Sequence, residues 1–118
     1  MANLAPLVDV TALTDALRRF SAERGWDAFH SPKNLAMALT GEVGELVEIF
    51  QWITEEQSRK VASDPATARA VRDELADVLI YLVELATALD VDLNEAVTQK
   101  LKTNAKKYPA GETRPRRP

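Results

Sequence analysis

The stretch GEVGELVEIFQW, Gly41 to Trp52, decides how the rest of the chain is interpreted. It is too apolar for a loop, yet Glu42, Glu45 and Glu48 recur in it at intervals of three. Residues at positions i and i+3 project from the same side of a helix, so these acids share one helical face. An ordinary amphipathic helix does not need such a series inside an apolar run.

Two glycines, Gly41 and Gly44, flank the first of these acids. Each glycine costs about 1 kcal/mol relative to alanine in a helix interior. This cost predicts that space is needed beside the acids, for a neighbouring backbone or for a ligand bound to a metal ion.

Helical periodicity extends outward from this stretch, and no segment shows the sustained alternation of a β-strand. Four long helices with short connections predict an all-α fold, an antiparallel four-helix bundle-like subunit. We expect one domain over residues 1–109 and a disordered basic tail over 110–118. The predicted helices run from Thr11 to a stop at Gly25, from Pro32 behind a Ser31 cap to about Trp52 or Ile53, from about Ala66 to Leu89 behind Pro65, and from the Asp92 cap to about Lys107.

Composition excludes several classes of protein. The 118 residues carry a net charge of −3, so no general basic field is present to attract a nucleic acid polymer. Cysteine is absent, which rules out disulfides and thiolate metal sites. The apolar runs are too short to span a bilayer and no leader pattern is visible, so we expect a cytoplasmic protein with no membrane partner.

A second pair of acids, Glu74 and Asp77, has the same spacing of three in the segment DELADV. Twenty-eight residues separate this pair from Glu42 and Glu45, which is enough for a helix end, a turn and a new helix start. Antiparallel packing can therefore set the two pairs opposite each other. Asp77 is the more informative acid of its pair because it interrupts the apolar run LADVLIYLV.

Four facing carboxylates repel one another, and burial raises the cost of each charge by several kcal/mol. A divalent cation removes the repulsion, and all-oxygen ligation suits Mg²⁺ or Mn²⁺ rather than zinc or copper. A di-iron bundle site would need Glu-x-x-His on two helices, and the single histidine, His30, belongs to neither pair. The alternative is that each pair belongs to a solvated surface stripe. Glu48 is expected to be a surface residue or to support the site from outside the ligand set. The occurrence of both pairs together favours the metal site.

The last predicted helix places Lys100, Asn104 and Lys107 on one face, two cations and an amide that suit a polyphosphate. A solvated basic helix end, favourable with the helix dipole, is the alternative.

The few aromatic residues lie near the acids. Trp52 follows Glu45 by seven residues, and Tyr81 follows Asp77 by four. Flat side chains stack on nucleobases, although core packing is an equal alternative for both residues. If the two acid helices are antiparallel, Trp52 and Tyr81 extend in opposite directions from the acids and cannot both touch one base. Either one of them is structural or a second subunit completes the pocket, which predicts an oligomer.

Three segments together resemble the all-α nucleoside triphosphate pyrophosphohydrolases, the MazG-like superfamily, and among them the dCTP pyrophosphatase branch. The resemblance covers about Leu13 to Pro109, and the segments are WDAFHSPKNLAMALTGEVGELVEIFQW, DELADVLIYLVELA and KLKTNAKKYP. It implies a homodimer or homotetramer with active sites near subunit contacts. It also implies a Mg²⁺-dependent reaction in which a nucleoside triphosphate and water give the monophosphate and pyrophosphate.

Carried over by position, the resemblance assigns roles to ten residues. Animal members of the dCTP branch have a histidine in the first helix where this chain has Leu17, so the resemblance leaves the base preference open. The implied metal ligands are Glu42, Glu45, Glu74 and Asp77; the implied base and sugar contacts are Trp26, His30, Trp52 and Tyr81; and the implied phosphate contacts are Lys100 and Asn104.

We therefore expect an enzyme that hydrolyses dCTP or a modified dCTP and so cleanses the nucleotide pool. Glu45 or Glu74 is predicted to act as the catalytic base, and the spacing alone does not choose between them. The alternative is a non-catalytic helical module whose acidic stripe and basic helix bind another protein.

Overall fold

The computed structural model describes residues 5–111 of the chain. Within that range all regular structure is helical, so the predicted all-α class is confirmed. The four predicted long helices are present, with ends within about three residues of those expected. The helices are α1 (Thr11–Glu23), α2 (Pro32–Phe50), the single turn α3 (Glu55–Ser58), α4 (Ala68–Ala88) and α5 (Leu93–Lys107), and a 3-10 turn at Asp27–Phe29 joins α1 to α2.

The helix ends follow from side-chain chemistry. The Ser31 hydroxyl accepts a hydrogen bond from the Asn34 amide, and Pro32 occupies the first helical position, as predicted. Asp92 caps α5 by accepting from the Glu95 amide. α4 begins at Ala68, two residues after the expected start at about Ala66, and the Asp64 carboxylate accepts from the Ala66 amide in the turn before it.

α2 packs along α4, and α1 makes a smaller contact with α4. The direction is antiparallel, because His30, before α2, lies near Glu84 late in α4, whereas Glu45 lies near Glu74 early in α4. The core is small and consists of Leu35, Val61, Val71, Val83 and Ala86.

The subunit is open rather than globular. Its radius of gyration is 17.5 Å, against about 13 to 14 Å for a compact chain of this length. Within residues 5–111, α5 does not pack along any other helix to a comparable extent. The predicted four-helix bundle-like subunit is therefore not confirmed within residues 5–111, and the predicted oligomer stays a prediction.

The segment before α1 is tied to the start of α5. The Asn94 side-chain oxygen accepts hydrogen bonds from the Leu7 and Val8 amides at 2.8 and 3.1 Å. The predicted tail over 110–118 lies outside the described residues except for Ala110 and Gly111. Among the helices of the described range, none is long and apolar enough to cross a bilayer.

Candidate active site

The antiparallel contact of α2 with α4 brings three acids together. One carboxylate oxygen from each of Glu42, Glu45 and Glu74 lies within 4.8 Å of the other two. Glu42 and Glu45 share a helical face because they are one turn apart, and Glu74 faces them from α4. Three of the four predicted acids therefore form one cluster, whereas Asp77, the second acid of the α4 pair, is not part of it.

Glu42 and Glu74 are the most confined members of the cluster. One oxygen of each, Oε2, is buried and has no hydrogen-bond partner among the described residues. Two ionised carboxylates cannot donate to each other, so the pair needs either a shared proton or a cation. This unmet requirement is the strongest sign that the cluster binds something.

The close approach of the carboxylates also raises the pKa values of Glu42 and Glu74. The hydrogen bond with Glu42, then desolvation and the neighbouring Glu45, raise the pKa of Glu74 to about 7. The hydrogen bond with Glu74 lowers the pKa of Glu42, but desolvation and the charges of Glu45 and Asp77 outweigh it and leave that pKa raised. The pair therefore binds a proton more tightly than isolated carboxyl groups do.

The donor set fits a hard divalent cation. Three carboxylate oxygens lie close enough together for Glu42, Glu45 and Glu74 to hold one ion between them. Carboxylates alone, without His or Cys, select Mg²⁺ or Mn²⁺ over softer metals.

Asp77 and Glu48 differ in their relation to the cluster. Asp77 is half-buried and close enough for its charge to raise the pKa of Glu42, but it is not part of the 4.8 Å triangle. Glu48 is exposed and also lies outside the triangle, in agreement with the surface position expected for it.

Gly41 and Gly44 leave open space beside the acids. A Cβ atom at either position would meet no heavy atom within 4 Å. No neighbouring backbone of the described chain fills the space, so the surface beside both glycines is open.

The aromatic residues before α2 form an edge-to-face series. The Phe20 and Trp26 ring centroids are 5.5 Å apart, and those of Trp26 and His30 are 6.4 Å apart. The Asn34 side chain donates to the Phe29 carbonyl at 3.0 Å and so fastens the 3-10 turn to α2. Trp26 remains 44 % exposed, so one ring face is accessible to a ligand.

Tyr81 lies on α4 beyond the acids. It is half-buried, and its pKa is raised by desolvation and by the charges of Glu42, Glu84 and Asp77. Tyr81 therefore lies between the acidic cluster and Glu84.

Three predicted substrate contacts are not brought to the acids within one chain. Trp52 lies beyond the end of α2, is 88 % exposed and has no aromatic partner among residues 5–111. Lys100 is exposed and Asn104 half-buried on α5, which does not pack on the acid helices to any large extent. Their roles stay predictions that require a second subunit.

The sequence analysis missed Glu84 and Ser21. Glu84 is seven residues after Asp77, on the same face of α4, and it interrupts the apolar run YLVELA just as Asp77 interrupts the run before it. That signal was available. Ser21 is buried in α1, and the sequence carries no sign of this because serine is common in exposed helices.

Comparison with known proteins places this geometry in context. The profile of the MazG-like family matches residues 38–116. The chain is 51 % identical over 90 residues to dCTP pyrophosphatase 1 of Bos taurus and 50 % identical over 91 residues to that of Homo sapiens. These matches cover 76 % and 77 % of this chain, but only 53 % and 54 % of the mammalian proteins. The chain thus spans about half the length of these relatives.

A solved structure agrees over nearly the full length. The crystal structure of a pyrophosphatase from Archaeoglobus fulgidus superposes with a TM-score of 0.78 at 38 % identity. The match covers 92 % of this chain and 99 % of the archaeal one.

Proposed function

The chain belongs to the MazG-like family, and on that premise we propose that it is a Mg²⁺-dependent nucleoside triphosphate pyrophosphohydrolase. The proposed substrate is dCTP or a modified dCTP, as the name of its mammalian relatives suggests. The observation that carries the proposal is the acidic cluster with its two buried, donor-less carboxylate oxygens. Buried carboxylate oxygens without a donor are costly, and a bound cation would remove that cost.

In the proposed reaction a water oxygen attacks the α-phosphorus, and the bond from that phosphorus to the α–β bridging oxygen breaks. The products are the nucleoside monophosphate and pyrophosphate. Glu45 or Glu74 takes the proton of the attacking water, while Glu42, Glu45, Glu74 and Asp77 are the proposed metal ligands. When bound, Mg²⁺ would neutralise phosphate charge and lower the pKa of a coordinated water. Lys100 and Asn104, from α5, are proposed to contact the phosphates.

A homo-oligomer is part of the proposal. The accessible surface of 9586 Å² exceeds by roughly half the value of about 6,300 Å² expected for a compact monomer of 13.0 kDa. Two apolar rows account for much of the exposed apolar surface: Val43, Val47 and Phe50 on α2, and Leu75, Leu79 and Leu82 on α4. A second copy covering these rows could also deliver Trp52 and α5 to the acids.

The decisive experiment measures pyrophosphate release from a panel of ribo- and deoxynucleoside triphosphates, including 5-methyl-dCTP, with and without Mg²⁺. We expect the wild type to act only with the metal. Glu45→Gln and Asp77→Asn should each remain folded and lose at least about 100-fold in kcat/KM, because a ligand or base is replaced by a weaker donor.

Glu48→Gln is the matched control, since Glu48 continues the same series on α2 but lies outside the cluster. It should retain near-normal turnover. Near-normal turnover in both Glu45→Gln and Asp77→Asn would reject the assigned roles, and no release from any nucleotide would favour the non-catalytic module.

A further inference from the structure

A small cavity lies beside Glu84, near the C-terminal end of α4 and away from Glu74. It has a volume of about 200 Å³ and is lined by α1, the 3-10 turn, the start of α2 and the end of α4. Leu17 and Leu35 give it apolar walls, and most of the other lining residues are polar or charged, among them Arg18, Ser21, Asp27, His30 and Glu84. Apolar walls with converging polar groups are a usual feature of a small-ligand site.

Glu84 is held by the polar neighbours Ser21 and His30 rather than by an ion pair with a lysine or arginine of the described chain. It is half-buried, and within residues 5–111 no lysine or arginine forms an ion pair with it. Desolvation raises the pKa of Glu84, while the charge of His30 and the hydroxyl of Ser21 act in the opposite direction. Ser21 is itself only 3 % exposed. The carboxylate is therefore held in a partly dry pocket by polar neighbours, where an apolar residue would pack at lower cost.

The position of this pocket matches the length of a nucleotide. Glu84 is seven residues after Asp77, two helical turns and about 10 Å along the same face of α4. This is comparable with the reach of a nucleotide from its α-phosphate to the far edge of its base. Tyr81 lies between the two sites, near both Asp77 and Glu84.

We propose that Glu84, positioned by Ser21, reads the base by accepting a hydrogen bond from an exocyclic amine. This inference rests on the proposed function, because it places the phosphates at the acidic cluster. A carboxylate accepts from the cytosine 4-amino group and repels the 4-carbonyl oxygen of uracil or thymine. The cavity is small compared with typical ligand pockets, which suits a one-ring base.

The test is the ratio of kcat/KM for dCTP to kcat/KM for dUTP. We expect the wild type to favour dCTP by about 10- to 100-fold. Glu84→Gln keeps the shape but turns an acceptor into a group that also donates, so the ratio should collapse to within about threefold of unity. Glu55→Gln, on the exposed turn α3, controls for the loss of one charge and should leave the ratio unchanged.

Ser21→Ala provides a second variant and should lower the ratio by a smaller factor. A wild type that prefers dUTP, or a Glu84→Gln variant that keeps the wild-type ratio, overturns the inference. If the wild type releases pyrophosphate from no nucleotide, the proposed function fails separately. In that case equilibrium binding of dCMP and dUMP to wild type and Glu84→Gln still decides whether Glu84 reads the base.

Discussion

Single carboxylates in this protein are placed where their charge is costly, and Glu74 shows the consequence most clearly. Its pKa is about 7, against an ordinary value of 4.5, because it shares a proton with Glu42 in a desolvated position near Glu45. A carboxyl group whose pKa is raised on folding binds its proton more tightly in the folded state. Its stabilising contribution is therefore complete below about pH 4.5 and is lost as the pH rises through about 7.

We accordingly expect the free energy of unfolding of the metal-free wild type to fall between pH 5 and pH 8. The fall should be larger than in the metal-free Glu74→Gln variant. Chemical denaturation in EDTA at several pH values measures the free energy of unfolding of both proteins. Because glutamine does not titrate, the difference between the two curves reports the titration of Glu74 together with its effect on Glu42. Added Mg²⁺ should restore wild-type stability at pH 8. A wild type that gains stability relative to Glu74→Gln over this range would contradict the assignment.

At the scale of elements, two helices end with the same backbone motif but different residues. The Gly25 amide bonds to the Ala22 carbonyl and the Trp26 amide to the Ser21 carbonyl, with Gly25 in the left-handed region at φ +65°. At the end of α4, the Asp90 amide bonds to Thr87 and the Val91 amide to Ala86, with Asp90 at φ 55°. The second motif places a side chain where glycine is favoured.

Asp90→Gly should therefore stabilise the protein by about 0.5–1 kcal/mol, since the left-handed conformation costs glycine little. The Asp90 side chain makes no hydrogen bond or ion pair within the described residues, so no contact is lost. Gly25→Ala is the converse variant and should lose about 1 kcal/mol through backbone conformation, because its Cβ meets nothing within 4 Å. Thermal unfolding of both variants checks the pair, and a destabilised Asp90→Gly would refute this account.

The whole molecule exposes apolar faces on the two helices that carry the acids. Leu79, at the middle of the α4 row, is 49 % exposed although it lies in the most apolar segment of the chain. Exposed apolar rows on two adjacent helices are the kind of surface that often marks a protein–protein contact. The openness of the fold and the proposed function thus point to the same feature, an assembly that closes around the acids.

Leu79→Lys is expected to raise the subunit dissociation constant by at least about 100-fold, because a buried unpaired charge opposes assembly. Light scattering after size-exclusion chromatography should show a smaller species that keeps its helical circular dichroism. Pyrophosphate release should decrease in Leu79→Lys in step with the loss of assembly. Ala62→Lys, which adds the same charge at an exposed position after α3, is the control and should assemble normally. Unchanged assembly in Leu79→Lys would exclude this face as the interface.

The chain by itself determined the helices and the acids. Capping residues and periodicity act over a few neighbours, so Ser31, Gly25 and Asp92 mark helix ends correctly without knowledge of the fold. The spacing of three between Glu42 and Glu45 is likewise a local property, and it predicted the face on which the cluster forms. At Asp64 the same local rules placed the helix start two residues early, because the carboxylate closes a turn with the Ala66 amide before α4 begins.

Only the tertiary structure decided which groups meet. It set Glu74 inside the triangle of carboxylates and Asp77 beside it, and it placed Glu84 with Ser21 and His30 around a cavity. It also separated α5 from the acids in one chain, although periodicity had suggested a closed bundle. The physical reason is that periodicity identifies which side of a helix is apolar, whereas the partner that covers that side depends on contacts between residues far apart in sequence.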